Sequence, residues 1–400
     1  MPELRPTLWT RPFLLIWSCT FLTFFAAFQL FPTAPLRLIE LGASRAESGL
    51  FLAIFTGGSS FGALVTGQMA DRMGHRRMLV GSATVFTLIM ATYAFLPVRW
   101  GFYALAPFHG AVWSGLITST VAMLGGILPE DGRAKGMSWY GLASPLGVVF
   151  GPSVGVALYQ HGSFRTMCLL LVLCFVALSM LARFLPADAH LEHHEKPPMQ
   201  WPDRPVLMLS SVLLFVAFSY GALTSYSTQE AISLGFKWPS AFLSCLAMGM
   251  VLMRLVMAWV GFGQRPARLL PWMLVLAIVG MSIMAFGGGR WEQGGSHLGL
   301  VRHVLAALLY GAGYSMVYTL LNTEVLNVVT PARRGAAFGT FMFAFDAGIG
   351  LGSLLLGSLI GATSFAWGWR VGLLMMICGL PLTMRIAGIA GRKACGPRKA

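Results

Sequence analysis

What most limits the folds open to this chain is a succession of twelve apolar runs, each long enough to cross a membrane, joined by short polar connections. A span needs about 20 mostly apolar residues, because the hydrocarbon core is about 30 Å thick and a helix rises about 1.5 Å per residue. The runs fall at 12–36, 46–70, 77–97, 101–127, 136–160, 164–185, 206–228, 239–262, 269–288, 300–328, 335–361 and 367–387. Most connections hold fewer than a dozen residues, which leaves no room for an added domain. The exception is Pro186 to Pro205, a polar stretch with five prolines. The expected organisation is an N-terminal six-helix bundle (1–185), a cytoplasmic linker (186–205) and a C-terminal six-helix bundle with a basic cytoplasmic tail (206–400). The fold class is an all-α membrane protein.

Composition agrees. Mean hydropathy is +0.71, and only 10% of residues are charged, against roughly 25% in soluble domains. The net charge of +14 does not indicate nucleic acid, because the basic residues form short clusters between apolar runs and not a patch on a soluble face. With the N-terminus inside, 19 Lys and Arg fall in cytoplasmic segments and 8 outside, with Arg254 inside the eighth run. That bias predicts both termini in the cytoplasm, and the chain is expected in the inner membrane as a multi-pass protein. The first run, Phe13 to Phe31, exceeds a signal-peptide core and continues into Pro32 and Pro35, so it is expected to remain as a span. Five of six cysteines lie in apolar runs and none has metal-ligand spacing, so neither a disulfide framework nor a metal site is expected.

The two halves echo each other. Pro129-Glu-Asp-Gly-Arg133 follows the fourth run and Pro331-Ala-Arg-Arg334 the tenth, and each is followed 26 residues beyond its proline by a glycine, Gly155 and Gly357. Glycine ladders follow both, Gly147, Gly151, Gly155 and Gly348, Gly352. Duplication of a six-helix unit suits alternating access, in which two bundles rock about a shared site.

Between the second and third runs stands Gly67-Gln-Met-Ala-Asp71-Arg72-Met-Gly74-His-Arg76-Arg77. Gly67 allows close helix approach, Gly74 a tight turn, and the arginines anchor the segment inside. Asp71 is expected to pair with a cation or a helix N-terminus. In the fifth run, Gly147-Val-Val-Phe-Gly151-Pro152-Ser-Val-Gly155 places small residues four apart on one face, with Pro152 bending the helix. On spacing alone this is a helix-packing groove as much as a functional motif.

These strings resemble the major facilitator superfamily. The first is similar to its G-x-L-a-D-r-x-G-r-r signature, which implies that Asp71 latches the two bundles on the cytoplasmic side. The second-half counterpart, Ala258 to Arg265, has no acid. The fifth-run string resembles the G-x-x-x-G-P-x-x-G motif of exporters and antiporters, and Arg334 to Gly352 resembles the eleventh segment of bacterial efflux-type members. The resemblance covers essentially the whole chain. It departs at Ala106-Pro-Phe-His109-Gly110, where many proton-driven exporters carry arginine in place of Ala106. Coupling through that arginine is therefore not expected.

Acids within spans are functional candidates, since charge there is costly. Asp346 and Glu324 are the coupling candidates, with Glu230 near the outer end of the seventh run. Arg254 either partners one of these acids or extends along its stem to the cytoplasmic side. In this superfamily helices 1, 4, 7 and 10 line the central cavity. The resemblance makes Phe25, Gln29, His109, Trp113, Tyr220, Tyr226, Tyr310, Tyr314, Tyr318 and Asn322 the cavity candidates, although aromatic stripes also serve as packing.

Two patterns are set aside. Gly58-Ser-Ser60-Phe-Gly62 matches G-x-S-x-G, but no strand precedes it. His190, His193 and His194 lie in a solvated linker. No phosphate-cradling loop is present, so transport within this chain is expected to run on a gradient. The expected function is export of a small organic molecule (drug, sugar or secreted metabolite) in exchange for protons, without enzyme activity or a cofactor. The alternative is an uptake symporter or uniporter for a sugar or organic acid. Expected partners are the small-molecule substrate and membrane lipids, with the chain a monomer.

Overall fold

The computed structural model describes residues 9–128, 136, 139–186, 203–260, 266–287, 297–329 and 334–393. Twelve long α-helices account for almost all of them. Before the linker come α1 (Arg11–Glu40), α2 (Arg45–Met73), α3 (His75–Phe95), α4 (Arg99–Ile127), α5 (Ala143–His161) and α6 (Phe164–Arg183). After it come α7 (Arg204–Ser233), α8 (Ala241–Val260), α9 (Leu270–Phe286), α10 (His297–Val328), α11 (Arg334–Ala362) and α12 (Phe365–Lys393). No strand occurs among the described residues. Most of the linker with its three histidines, Pro129-Glu-Asp-Gly-Arg133, Pro331 to Arg333, the end of the Ala258 to Arg265 stretch and the tail from 394 lie outside the described residues.

The twelve helices match the twelve apolar runs. The chief differences are at the ends: α5 begins at Ala143 where the run began at 136, and α12 continues to Lys393. Eight helices qualify as spans on length and hydropathy alone. The others are α2, α4, α5 and α8, of which α2, α4 and α5 carry small or polar residues that lower hydropathy while letting backbones approach. Large apolar side chains, among them Phe61, Leu88, Leu173 and Trp259, stand exposed. In water such a surface would drive association. In lipid it is solvated.

Local chemistry sets the helix ends. α1 stops in a Schellman motif: Gly42 adopts φ +84°, its N–H bonds the Ile39 carbonyl, and the Ala43 N–H bonds that of Leu38. α7 stops the same way at Gly235, φ +75°, with Phe236 N–H on the Ala231 carbonyl. A capping box opens α2, in which Ser44 N–H donates to Glu47 Oε2 at 2.7 Å and Glu47 N–H to Ser44 Oγ at 3.2 Å.

The glycine ladders have a common use. A Cβ on Gly147 would stand 2.7 Å from Phe25 N, and one on Gly155 would stand 2.7 Å from Gln29 Cα, so α5 lies backbone-to-backbone on α1. On α11, Gly348 and Gly352 meet Leu214, Ala217 and Phe218 of α7 in the same manner. First with fifth and seventh with eleventh are equivalent pairs, so the duplication read from glycine spacing is a duplicated helix contact.

By packing, the chain divides into two compact units. One contains Met1–Thr33 and Gly57–His194, the other Ala34–Thr56 and Glu195–Ala400. Packing thus groups the end of α1 and the start of α2 with the second half, whereas the sequence division followed the linker.

Candidate functional site

In the second unit, α7 and α10 supply a stack of phenol rings. Tyr220 lies on Tyr314 with centroids 4.5 Å apart and planes 12° apart, and Tyr310 follows Tyr314 at 5.9 Å. The four-residue spacing of the α10 tyrosines puts them on one face, and Tyr220 completes the column from the neighbouring helix. Tyr310 Oη lies 2.9 Å from Ser219 Oγ. Tyr318, next in the stripe, leaves the column. Its ring sits by Phe341 and Phe345 of α11, and its hydroxyl donates to Met342 Sδ.

Arg254 is half-buried in α8, and its Nε donates to Ser315 Oγ of α10 at 3.0 Å. Tyr314 and Tyr318 lie within electrostatic reach of its guanidinium, and Tyr318 also within reach of Asp346. Arg254 and Ser315 are thus hydrogen-bonded, and Tyr318 stands within reach of both Arg254 and Asp346, so α8, α10 and α11 bring these polar residues to one region. An arginine at a span's centre costs about 2.5–3.5 kcal/mol on insertion scales, and such residues face polar partners or a pathway. Glu324 is half-buried further along α10. Asn322 keeps a buried Oδ1 without a hydrogen-bond partner.

In the first unit α1 presents a ladder of rings, Trp17 on Phe21 and Phe21 on Phe25, each pair 5.8 Å apart and nearly parallel. Gln29 is fully buried beneath Gly155. Its Nε2 contacts the Phe25 carbonyl at 3.4 Å, and its Oε1 has no hydrogen-bond partner. Trp113 of α4 packs edge-on against Phe24 and Phe31. His109, expected on the same face, diverges from Trp113 and is buried against Phe86 and Tyr93 of α3. One turn apart leaves a rotation of about 40°, enough to send the two rings to different neighbours.

Tyr226 is likewise fully buried. Its hydroxyl donates to the Ser353 carbonyl at 3.0 Å and contacts the Arg45 carbonyl at 3.3 Å, in a slot floored by Gly49 and Gly357. Ser353 Oγ in turn donates to the Gly49 carbonyl at 3.0 Å. Tyr226 thus ties α7 to the start of α2 and to α11.

Of the Gly67 to Arg77 motif, the part through Arg72 belongs to the last turns of α2, and the side chain of Asp71 lies outside the described residues. Gly74 takes φ +91° and makes the turn into α3. Arg76 Nη1 donates to the Leu185 carbonyl at 3.1 Å, tying α3 to the end of α6, while Arg72 and Arg77 are exposed. The Gly147, Gly151, Pro152 and Gly155 motif is the surface on which α1 lies. Gly58 and Gly62 of the G-x-S-x-G string meet Pro107 and Ala111 of α4, so that pattern is a helix contact.

Three residues that sequence reading passed over belong to polar groups. Ser315 is the partner of Arg254, and a serine among apolar residues gives no warning of it. His303 and Trp369 gather on Glu230, and a histidine within the tenth run was the available signal.

The sequence profile of the Major Facilitator Superfamily matches residues 16–353. The chain belongs to the major facilitator superfamily. It is a transporter, not an enzyme. A superfamily relative, the staphylopine export protein of Staphylococcus aureus (strain Mu50 / ATCC 700699), is 26% identical over 391 residues, covering 92% of this chain and 93% of that protein. Among solved superfamily structures, the human organic anion transporter MFSD10 (TETRAN) superposes with a TM-score of 0.70 at 17% identity, over 93% of this chain and 99% of that one. The nucleoside transporter NupG gives 0.73 at 14% identity, over 94% and 99%. Those identities speak for the fold.

Proposed function

We propose that this chain is a secondary exporter of a small organic molecule, driven by proton antiport across the inner membrane, with both termini in the cytoplasm. The observation that carries the reading is the group of Arg254, Tyr318 and Asp346, two opposite charges and a phenol supplied by three helices within their spans. An acid so placed can hold a proton in one conformation and shed it in another. The stacked tyrosines beside this group offer flat apolar faces to an organic substrate. Similarity to an export protein along nearly the whole length of both chains supports the outward direction. No cofactor takes part, and the working unit is a monomer in lipid.

Uniport is the second reading, favoured by one observation: Ala106 stands where many proton-driven exporters have arginine. A deletion strain separates the two. Compounds that accumulate inside it, or become toxic to it, identify the substrate, and complementation with wild type and with Asp346→Asn follows. Wild type restoring extrusion and Asp346→Asn failing to do so supports antiport. Equal restoration by both points to uniport.

A further inference from the structure

We propose that Glu230 and His303 together bind one proton, at a site separate from Asp346, and that this proton holds α7, α10 and α12 together at one end of the second unit. Glu230 lies three residues before the end of α7, His303 in the second turn of α10 and Trp369 in the second turn of α12. Trp369 Nε1 donates to Glu230 Oε2 at 2.9 Å, and His303 Nε2 lies 3.5 Å from the same oxygen. The other ring nitrogen, Nδ1, is 3.2 Å from the Gly299 carbonyl. A carbonyl only accepts, so Nδ1 carries a hydrogen. A neutral ring then turns its Nε2 lone pair toward a carboxylate oxygen, and two acceptors repel.

The contact is largely shut off from solvent. Glu230 and His303 are 8% and 2% exposed, Phe236 and Phe242 close edge-on around the imidazole, and Nε2 has no hydrogen-bond partner. One added proton resolves it, whether it sits on Nε2 and donates to the carboxylate or on the carboxyl and donates to Nε2.

The neighbouring charged groups have contacts of their own. Arg302 of α10 donates to the Ile283 carbonyl of α9 at 3.1 Å. Arg370 of α12 donates to the Ala285 carbonyl and lies over the Phe286 and Trp367 rings. Lys237 lies over Trp238, and Arg45 of α2 over Phe365, which stacks on Trp369. Tyr226, one turn before Glu230, gives its hydroxyl to Ser353. Among the described residues of the second half, the other acids are Asp203, Glu324 and Asp346, none of them in the terminal turns that carry this pair. On the topology proposed above this end faces outward, so the site takes its proton from the external side. Proton binding itself does not depend on that topology.

The test is thermal stability of the purified full-length protein in detergent, followed from about pH 5.5 to about pH 9, which spans the range where histidine titrates. Where the folded chain holds a proton that the unfolded chain has released, stability falls as pH rises. Wild type is expected to lose several degrees of melting temperature across that range. Glu230→Gln removes the carboxylate that the proton neutralises, so its profile should be flatter than that of wild type. His303→Phe, which removes the lone pair, should flatten the profile too and serves if the first variant folds poorly. Because stability is the readout, the result is independent of whether the carrier exports. Wild type, Glu230→Gln and His303→Phe sharing one slope overturns the proposal.

Discussion

Gln29 and Gly155 meet so closely that a Cβ on the glycine would stand 2.7 Å from the glutamine's α carbon. Carbon atoms not bonded to each other prefer about 3.5–4.0 Å, and the obstacle is backbone, which cannot rotate aside. The contact therefore admits no side chain.

Replacing Gly155 by leucine should separate α1 from α5 at a cost of about 1–3 kcal/mol, the usual range for overpacking. Size-exclusion profiles and melting temperatures of the purified variants report it. Gly81→Ala is the control, because a Cβ there meets nothing within 4 Å. A Gly155→Leu protein as stable as the control would show that α1 and α5 are not packed in this way.

Much of the fold was legible because lipid imposes strong rules. Every span needs length and apolarity, and the twelve runs reappear as twelve helices. The glycine ladders were legible as spacing, and their partners Phe25, Gln29 and Phe218 follow from the first-with-fifth and seventh-with-eleventh pairing. The tyrosine stripe was legible in part: Tyr310 and Tyr314 stack, while Tyr318 turns to α11, since rotamer choice depends on neighbours that one helix does not specify. Cross-helix partners were not legible. Glu230 was visible as an acid near the end of its span, but its partners lie 73 and 139 residues away in sequence, and no local period links them.

Asp346→Asn should abolish uphill transport while leaving substrate exchange measurable, because the amide keeps the shape and cannot release a proton. Glu324→Gln should retain gradient-driven transport. Both are read as accumulation against exchange in proteoliposomes under an imposed pH gradient. If neither substitution alters uphill transport or its pH dependence, the carrier does not couple through these acids.

Asp71 occupies the last turn of α2, beside the Gly74 turn. Asp71→Asn removes a charge with little change of shape, so expression and insertion should survive while transport falls sharply. Transport at the wild-type rate would mean that this acid does not work as a latch here.

Reporter fusions after residue 195 and at the C-terminus should both report the cytoplasm, the orientation that 19 basic residues on that side against 8 opposite predict. A periplasmic signal at either point would reverse the topology, and with it the external access assigned to the Glu230–His303 pair.

Direction and driving force meet in one measurement: uptake, into membrane vesicles of defined orientation, of the compound that the deletion strain fails to extrude. Inside-out vesicles acidified within should accumulate it, and collapsing the proton gradient should stop accumulation at once. Right-side-out vesicles should not accumulate it under an inward substrate gradient of equal size. Accumulation in right-side-out vesicles, or accumulation indifferent to collapse of the gradient, would contradict a proton-driven exporter.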